Sequence, residues 1–173
     1  TKLAVEDLLT CIWIPRDKLD NLLEALEQTH THWLGSGNWQ KIIMQRGIGF
    51  IEHSISGEFI PQMLNLDCIH GISFTKGCYT GQEIVARLHY RGTPKRRLHR
   101  AETNVPVVAG DMLVNAEGKT VGSIVNHCIR DQTHELLIEL VPEAAAEPVT
   151  LKGGQSELAQ ITRCHDDNDQ STG

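Results

Sequence analysis

Several signals are missing from this sequence of 173 residues, and each absence removes a class of protein. No apolar run is long enough to span a membrane, and no segment has the layout of a secretory signal peptide. The five cysteines, Cys11, Cys68, Cys78, Cys128 and Cys164, are odd in number and contain no Cys-x-x-Cys pair. That pattern excludes a secreted disulfide framework and a closed zinc site, and it suits a reducing, cytoplasmic compartment. There is no His-Glu-x-x-His, no P-loop lysine and no dinucleotide-binding glycine fingerprint. His30-Thr31-His32 has no acidic ligand in register, so no metal site is expected. Aromatics are scarce at 5%, and the net charge is −6, so nothing draws the whole chain toward nucleic acid or anionic membrane. Such a contact would need a local patch.

What is present is ordinary for a globular chain: 40% hydrophobic and 22% charged residues, enough for a core. The chain opens on Thr1 rather than methionine, as a piece of a longer sequence would. Residues 8 to 14 form an apolar, β-branched run ended by Pro15, which predicts a buried strand. Leu19, Leu22, Leu23 and Leu26 then share one face of a helix expected over residues 17 to 28. A Gly35-Ser36-Gly37 turn leads to a second helix near residues 39 to 46. Residues 47 to 76 are irregular, and a further helix is expected over residues 81 to 91. Past Pro94 the pattern becomes strand-like, over residues 97 to 102, 112 to 115, 120 to 128, 135 to 141 and 158 to 162. Turn signals such as Ala109-Gly110-Asp111, Glu117-Gly118 and Gly153-Gly154 separate these runs. The fold class is therefore α+β: part of a mixed α/β domain over residues 1 to 93, then a small antiparallel β-barrel over residues 94 to 164. Residues 165 to 173 read as a disordered polar tail.

One segment carries chemistry: Lys76-Gly77-Cys78-Tyr79-Thr80-Gly81-Gln82-Glu83. Thr80 and Glu83 have the spacing of a capping box, and Gly92 stands where a left-handed residue would end the helix, with Pro94 barring its resumption. Cys78 would then lie just ahead of a helix N-terminus with Lys76 two residues away, surroundings that lower a thiol pKa. Gly77 and Gly81 would admit close approach by backbone or ligand. The segment reads as a reactive thiol or an anion-binding loop, or else Cys78 is a small packing residue. Glu83 reads first as a cap, and Arg87 as its i, i+4 ion-pair partner or a ligand contact. Arg87, Arg91, Lys95, Arg96, Arg97 and Arg100 form a basic cluster. It is either a solvated face or a contact for an RNA backbone or a polyanionic tail.

The segment of residues 76 to 83 resembles the signature of the YgfZ-type folate-binding proteins, bacterial relatives of the glycine-cleavage T-protein. The flanks agree in order: Ser56-Gly57-Glu58-Phe59-Ile60-Pro61-Gln62, Asn65-Leu66-Asp67 and Gly71-Ile72-Ser73-Phe74 before it, then Ala86-Arg87, Arg91-Gly92 and Lys95-Arg96-Arg97-Leu98 after it. The resemblance implies the C-terminal part of a T-protein-like domain and a C-terminal β-barrel. It implies a reduced folate, tetrahydrofolate or a derivative, bound in a central channel of the intact protein, much of it built by segments this chain lacks. It further implies support for iron–sulfur client enzymes, some of which thiolate tRNA, with Cys78 and Lys76 as the functional pair. Tyr79, Gln82, Glu83 and Arg87 follow as cofactor-binding positions, and Lys95, Arg96 and Arg97 as a possible tRNA contact. Two alternatives stand beside this reading. One is an aminomethyltransferase acting with tetrahydrofolate, although such enzymes usually carry an acidic-aromatic pair where this chain has Gly77-Cys78. The other is a non-catalytic RNA-contact or scaffold protein.

Overall fold

The computed structural model describes residues 2–4, 10–12, 14–154 and 156–165. The chain forms two compact units, one up to Gly35 and one from Ser36 onward. In the first, β1 (Lys2–Ala4) pairs antiparallel with β2 (Thr10–Ile12), Leu3 opposite Cys11. The buried strand expected over residues 8 to 14 is thus a short one, and its Ile12 is 54% exposed. Residues 8, 9 and 13 lie outside the described residues. A 3-10 turn (Arg16–Lys18) runs into α1 (Leu19–Glu27), whose Leu22, Leu23 and Leu26 are half-buried while Leu19 is exposed. The Thr29 and Thr31 hydroxyls donate to the Leu26 carbonyl at 2.7 and 2.9 Å, satisfying an end-of-helix acceptor.

The second unit is built on a six-stranded antiparallel sheet: β3 (Arg97–Thr103), β4 (Met112–Val114), β5 (Thr120–Arg130), β6 (Thr133–Leu140), β7 (Thr150–Leu151) and β8 (Ala159–Arg163). Their order across the sheet is β7-β4-β5-β6-β3-β8. The sheet curls. Val149 at one edge and Leu158 at the other join Leu136 and Ile138 of central β6 in one apolar cluster. A bridge between Thr150 and Glu157 and a 2.8 Å bond from the Leu158 N–H to the Val149 carbonyl draw the edges together. The expected small barrel is therefore a half-barrel with a packed concave face.

The convex face is covered by the preceding segment. Here α2 (Ser36–Gln45) supplies Met44, and two 3-10 turns (His53–Ile55 and Pro61–Leu64) supply Ile55 and Leu64. These pack on Leu98, Val125 and Leu137. Ile55 and Leu64 are 1% and 2% exposed. Burying each contributes roughly 1.5–3 kcal/mol before entropy is counted. A bulge between Ile124 and Asn126 breaks the alternation, so that after inward-facing Ile124 both Val125 and Asn126 turn to the outer side, Asn126 opposite Leu137. Asn126 then acts as a surrogate strand edge. Its Oδ1 accepts the Phe50 N–H at 2.7 Å and its Nδ2 donates to the Phe50 carbonyl at 3.0 Å. The irregular stretch after residue 47 is confirmed, and it works as the cover of the sheet. Pro94 lies inside this unit, between α3 (Gln82–Arg91) and β3. Of the expected tail only His165 is described, and its Nε2 lies 3.1 Å from the Arg46 carbonyl.

Candidate functional site at the Cys78 loop

The loop before α3 is open. Residues 75 to 78 are exposed, and Cys78 carries an unbridged thiol at the surface. The packing reading of Cys78 is thereby set aside. Lys76 Nζ stands 4.8 Å from the centroid of the Tyr79 ring, a cation–π contact, and the Lys76 N–H donates to Ser73 Oγ at 3.2 Å. Tyr79 is half-buried, and its N–H donates to Gln82 Oε1 at 3.3 Å.

The helix start differs from the expected capping box. Gly81 is the N-cap, with φ +85, and no side chain caps the helix. A left-handed glycine turns the chain so that Thr80 falls one position too early to receive the first helical N–H groups. Gln82 supplies a local substitute through Tyr79. A Cβ at Gly77 or Gly81 would meet nothing within 4 Å, so neither glycine is required by a close approach of the described backbone; Gly81 serves its φ. The other end differs too. Gly92 has φ −157, extended rather than left-handed, because the chain passes directly toward Pro94 and β3. Its N–H still bonds the Leu88 carbonyl at 3.2 Å.

Beneath α3 lies a polar anchor whose residues show no distinct role in the sequence. Buried Gln62 donates from Nε2 to the Val85 carbonyl at 2.7 Å, and its own carbonyl accepts from Arg97 Nη1 at 2.9 Å. Asp67 Oδ1 meets the same Nη1 at 2.7 Å, with both side chains about 95% buried. Asn65, held at φ +54, accepts the Leu98 N–H at 3.3 Å. The turn at Pro61–Leu64 thus ties α3 to β3 from below. His99 is buried beside this anchor, and burial lowers its pKa, partly opposed by its Nδ1 contact with the Arg97 carbonyl at 3.0 Å.

These contacts correct the basic cluster. Arg97 is 3% exposed and ion-paired with Asp67, so it cannot face RNA. Arg96 bonds buried Glu139 at 2.8 Å, and Ser123 Oγ donates to the same oxygen at 3.2 Å. Burial raises the Glu139 pKa against the lowering effect of Arg96 and Ser123. Lys95 remains exposed, and Arg100 donates to the Gln45 carbonyl at 3.1 Å. Arg87 and Arg91 are exposed on α3, and among the described residues neither has a hydrogen-bond or ion-pair partner. The expected Glu83–Arg87 pair is therefore not formed.

The cofactor-binding positions are not gathered. Tyr79 and Gln82 are half-buried and bonded to each other, while Glu83 and Arg87 lie on the outer face of α3 along an open groove. Cys68, Cys128 and Cys164 differ from Cys78. Cys68 is buried, burial pushes the Cys164 thiol up to about 12, and burial with Glu135 raises that of Cys128. Among the described residues no three His, Cys, Asp or Glu side chains are placed to hold a metal, and no helix is long and apolar enough to cross a membrane.

Several curated proteins with similar sequences carry the name tRNA-modifying protein YgfZ. The chain is 38% identical over 122 residues to the tRNA-modifying protein YgfZ of Blochmanniella pennsylvanica, covering 64% of this chain and 36% of that protein. It is 40% identical over 108 residues to the protein of the same name from Serratia proteamaculans, covering 61% and 31%. The Yersinia pestis protein of that name is 45% identical over 80 residues, covering 44% and 24%. The chain spans about a third or less of the length of these relatives. No family model matches it. A match covering 64% of this chain must include residues 76 to 83 wherever it begins, so the loop and its helix fall inside the similarity. Over the matched part the chain is thus similar to a part of the YgfZ proteins.

Proposed function

We propose that this chain is part of a YgfZ-type accessory factor that acts in tRNA modification by supporting the assembly or repair of iron–sulfur enzymes, with Cys78 as its functional thiol. The observation that carries this reading is the position of Cys78. It is the exposed thiol in a loop fixed at both ends, by Ser73 and by the Tyr79–Gln82 bond, over an anchored helix. A thiol presented in this way can ligate a soft metal or exchange with a sulfur electrophile in a partner protein. The names of the relatives support the tRNA part. The odd cysteine count supports a reducing, cytoplasmic setting.

A reduced folate is proposed for the whole protein on the resemblance. The carried-over positions do not by themselves build its site. Tyr79 and Gln82 satisfy each other, and the groove beside Glu83 and Arg87 is too open to enclose a pterin ring. The ring-binding groups are assigned to segments beyond this chain, and no chemical step is derived through folate. The transferase reading is not favoured by any contact in this structure.

The test is rescue by the full-length gene in a bacterial strain lacking its own YgfZ-type protein, read as activity of an iron–sulfur tRNA-thiolating enzyme. Restored thiolation is expected. Absent rescue by a soluble, expressed protein contradicts the accessory-factor reading. Tetrahydrofolate titration of the same protein is expected to show saturable binding without one-carbon turnover, and turnover would favour the transferase.

A further inference from the structure

From the outer face of α3 we infer a contact surface for a single-stranded segment of tRNA, centred on Arg87, Tyr90 and Arg91. This deepens the proposed role in tRNA modification and rests on it. The face is defined by helical position. Val85 is buried, and the anchor holds that side of α3 down through Gln62. Glu83, Arg87, Tyr90 and Arg91 lie around the opposite side and line an open groove of about 460 Å³. A groove that size is broad enough to seat a base or a sugar-phosphate unit.

Two independent features suit a nucleotide chain. The first is charge. Arg87 and Arg91 are one helical turn apart, about 6 Å along the axis. Neither is neutralised by a partner among the described residues. Exposed Lys95 follows in the linker, and Glu83 is the single acid in the groove. A net positive face on a chain of net charge −6 is a local patch, which is what phosphate attraction requires. The second is a stacking platform. The Phe74 and His89 rings are stacked, 3.8 Å between centroids and 13° apart in plane. Tyr90 stands edge-on to both, at 6.2 and 4.7 Å, and is still 68% exposed. A ring held in place at low entropic cost and open to solvent can take an unpaired base, and a guanidinium beside it can stack or bind the phosphate. Duplex RNA hides its base faces, so the aromatic part of the surface points to loops or single-stranded ends. The face lies on the helix that begins four residues after Cys78, so bound RNA would come close to the thiol-bearing loop.

The experiment is filter binding of the full-length gene product to an unmodified tRNA transcript and to a short oligouridylate, across a salt series. Arg87→Glu/Arg91→Glu should weaken tRNA binding at least tenfold and flatten the salt dependence by about 0.7 in log–log slope for each phosphate no longer neutralised. Tyr90→Ala should weaken oligouridylate binding about tenfold with the salt slope kept. Glu83→Gln should strengthen both. All four residues are exposed, so thermal melts should match the wild type. Equal tRNA affinity in wild type and the arginine variant, including no binding by either, overturns the inference and leaves this face as a packing surface for another polypeptide segment. Rescue of thiolation is a separate readout, so the accessory-factor reading can fail or stand independently of RNA affinity.

Discussion

Asp67→Ala should loosen the helix that carries the functional loop, and its size can be worked from the anchor. Asp67 and Arg97 meet at 2.7 Å with side chains 5% and 4% exposed. Removing the carboxylate takes the 2.7 Å ion pair away from a buried guanidinium. Breaking such a pair from one side typically costs ~3–5 kcal/mol. Arg97 keeps its 2.9 Å bond to the Gln62 carbonyl, which places the expectation near the lower bound, about 3 kcal/mol. For a compact unit of this size that lowers the melting temperature by roughly 6–12 °C. Urea denaturation followed by circular dichroism reads it as a lower midpoint with an unchanged slope. The double variant Asp67→Ala/Arg97→Met should recover most of the loss, because it removes the buried charge as well. A single-variant loss under about 1 kcal/mol, or a double variant no better than the single, would refute the claim that this pair fastens α3 to β3.

Two further outcomes follow from the same geometry. Burial raises the Glu139 pKa above its unfolded value, so the folded state holds the extra proton and the charged form is penalised at neutral pH. Glu139→Gln should therefore be at least as stable as wild type at pH 7, with the gap closing as pH falls through the raised pKa toward the ordinary carboxylate range; a gap that widens on acidification would contradict this. Brief maleimide labelling of the native protein, read by peptide mass spectrometry, should modify Cys78 well before Cys68 and Cys164, the last being held at about 12 by burial. Labelling of Cys164 ahead of Cys78 would count against the described loop.

The strands of the half-barrel were legible because turn chemistry marks their ends. Gly110 and Gly118 sit at φ +97 and +75, where the sequence already signalled turns, and β3, β5 and β6 fall within two residues of expectation at either end. β7, two residues long, is too short to leave a pattern. The helix at residues 82 to 91 was legible for its apolar spacing but not for its cap. The string Thr80-Gly81-Gln82-Glu83 fits a capping box, and only the left-handed φ of Gly81 decides against it. The basic cluster failed for a different reason. Arg96 and Arg97 look alike in sequence, and their partners lie 43 and 30 residues away, Glu139 late in β6 and Asp67 in an irregular loop. Nothing local separates a buried ion pair from a solvated charge. The α3 face was hidden in the same way, since Phe74, His89 and Tyr90 become a platform only when the loop folds back on the helix.

The central claim is that the exposed thiol of Cys78 does the work of the loop, and Cys78→Ala in the rescue strain tests it most directly. The tRNA-thiolating activity restored by the wild-type gene should be lost with Cys78→Ala, while the variant protein melts at the wild-type temperature because an exposed side chain adds little to stability. Full rescue by Cys78→Ala, at equal expression, would contradict the account and turn attention to the α3 face.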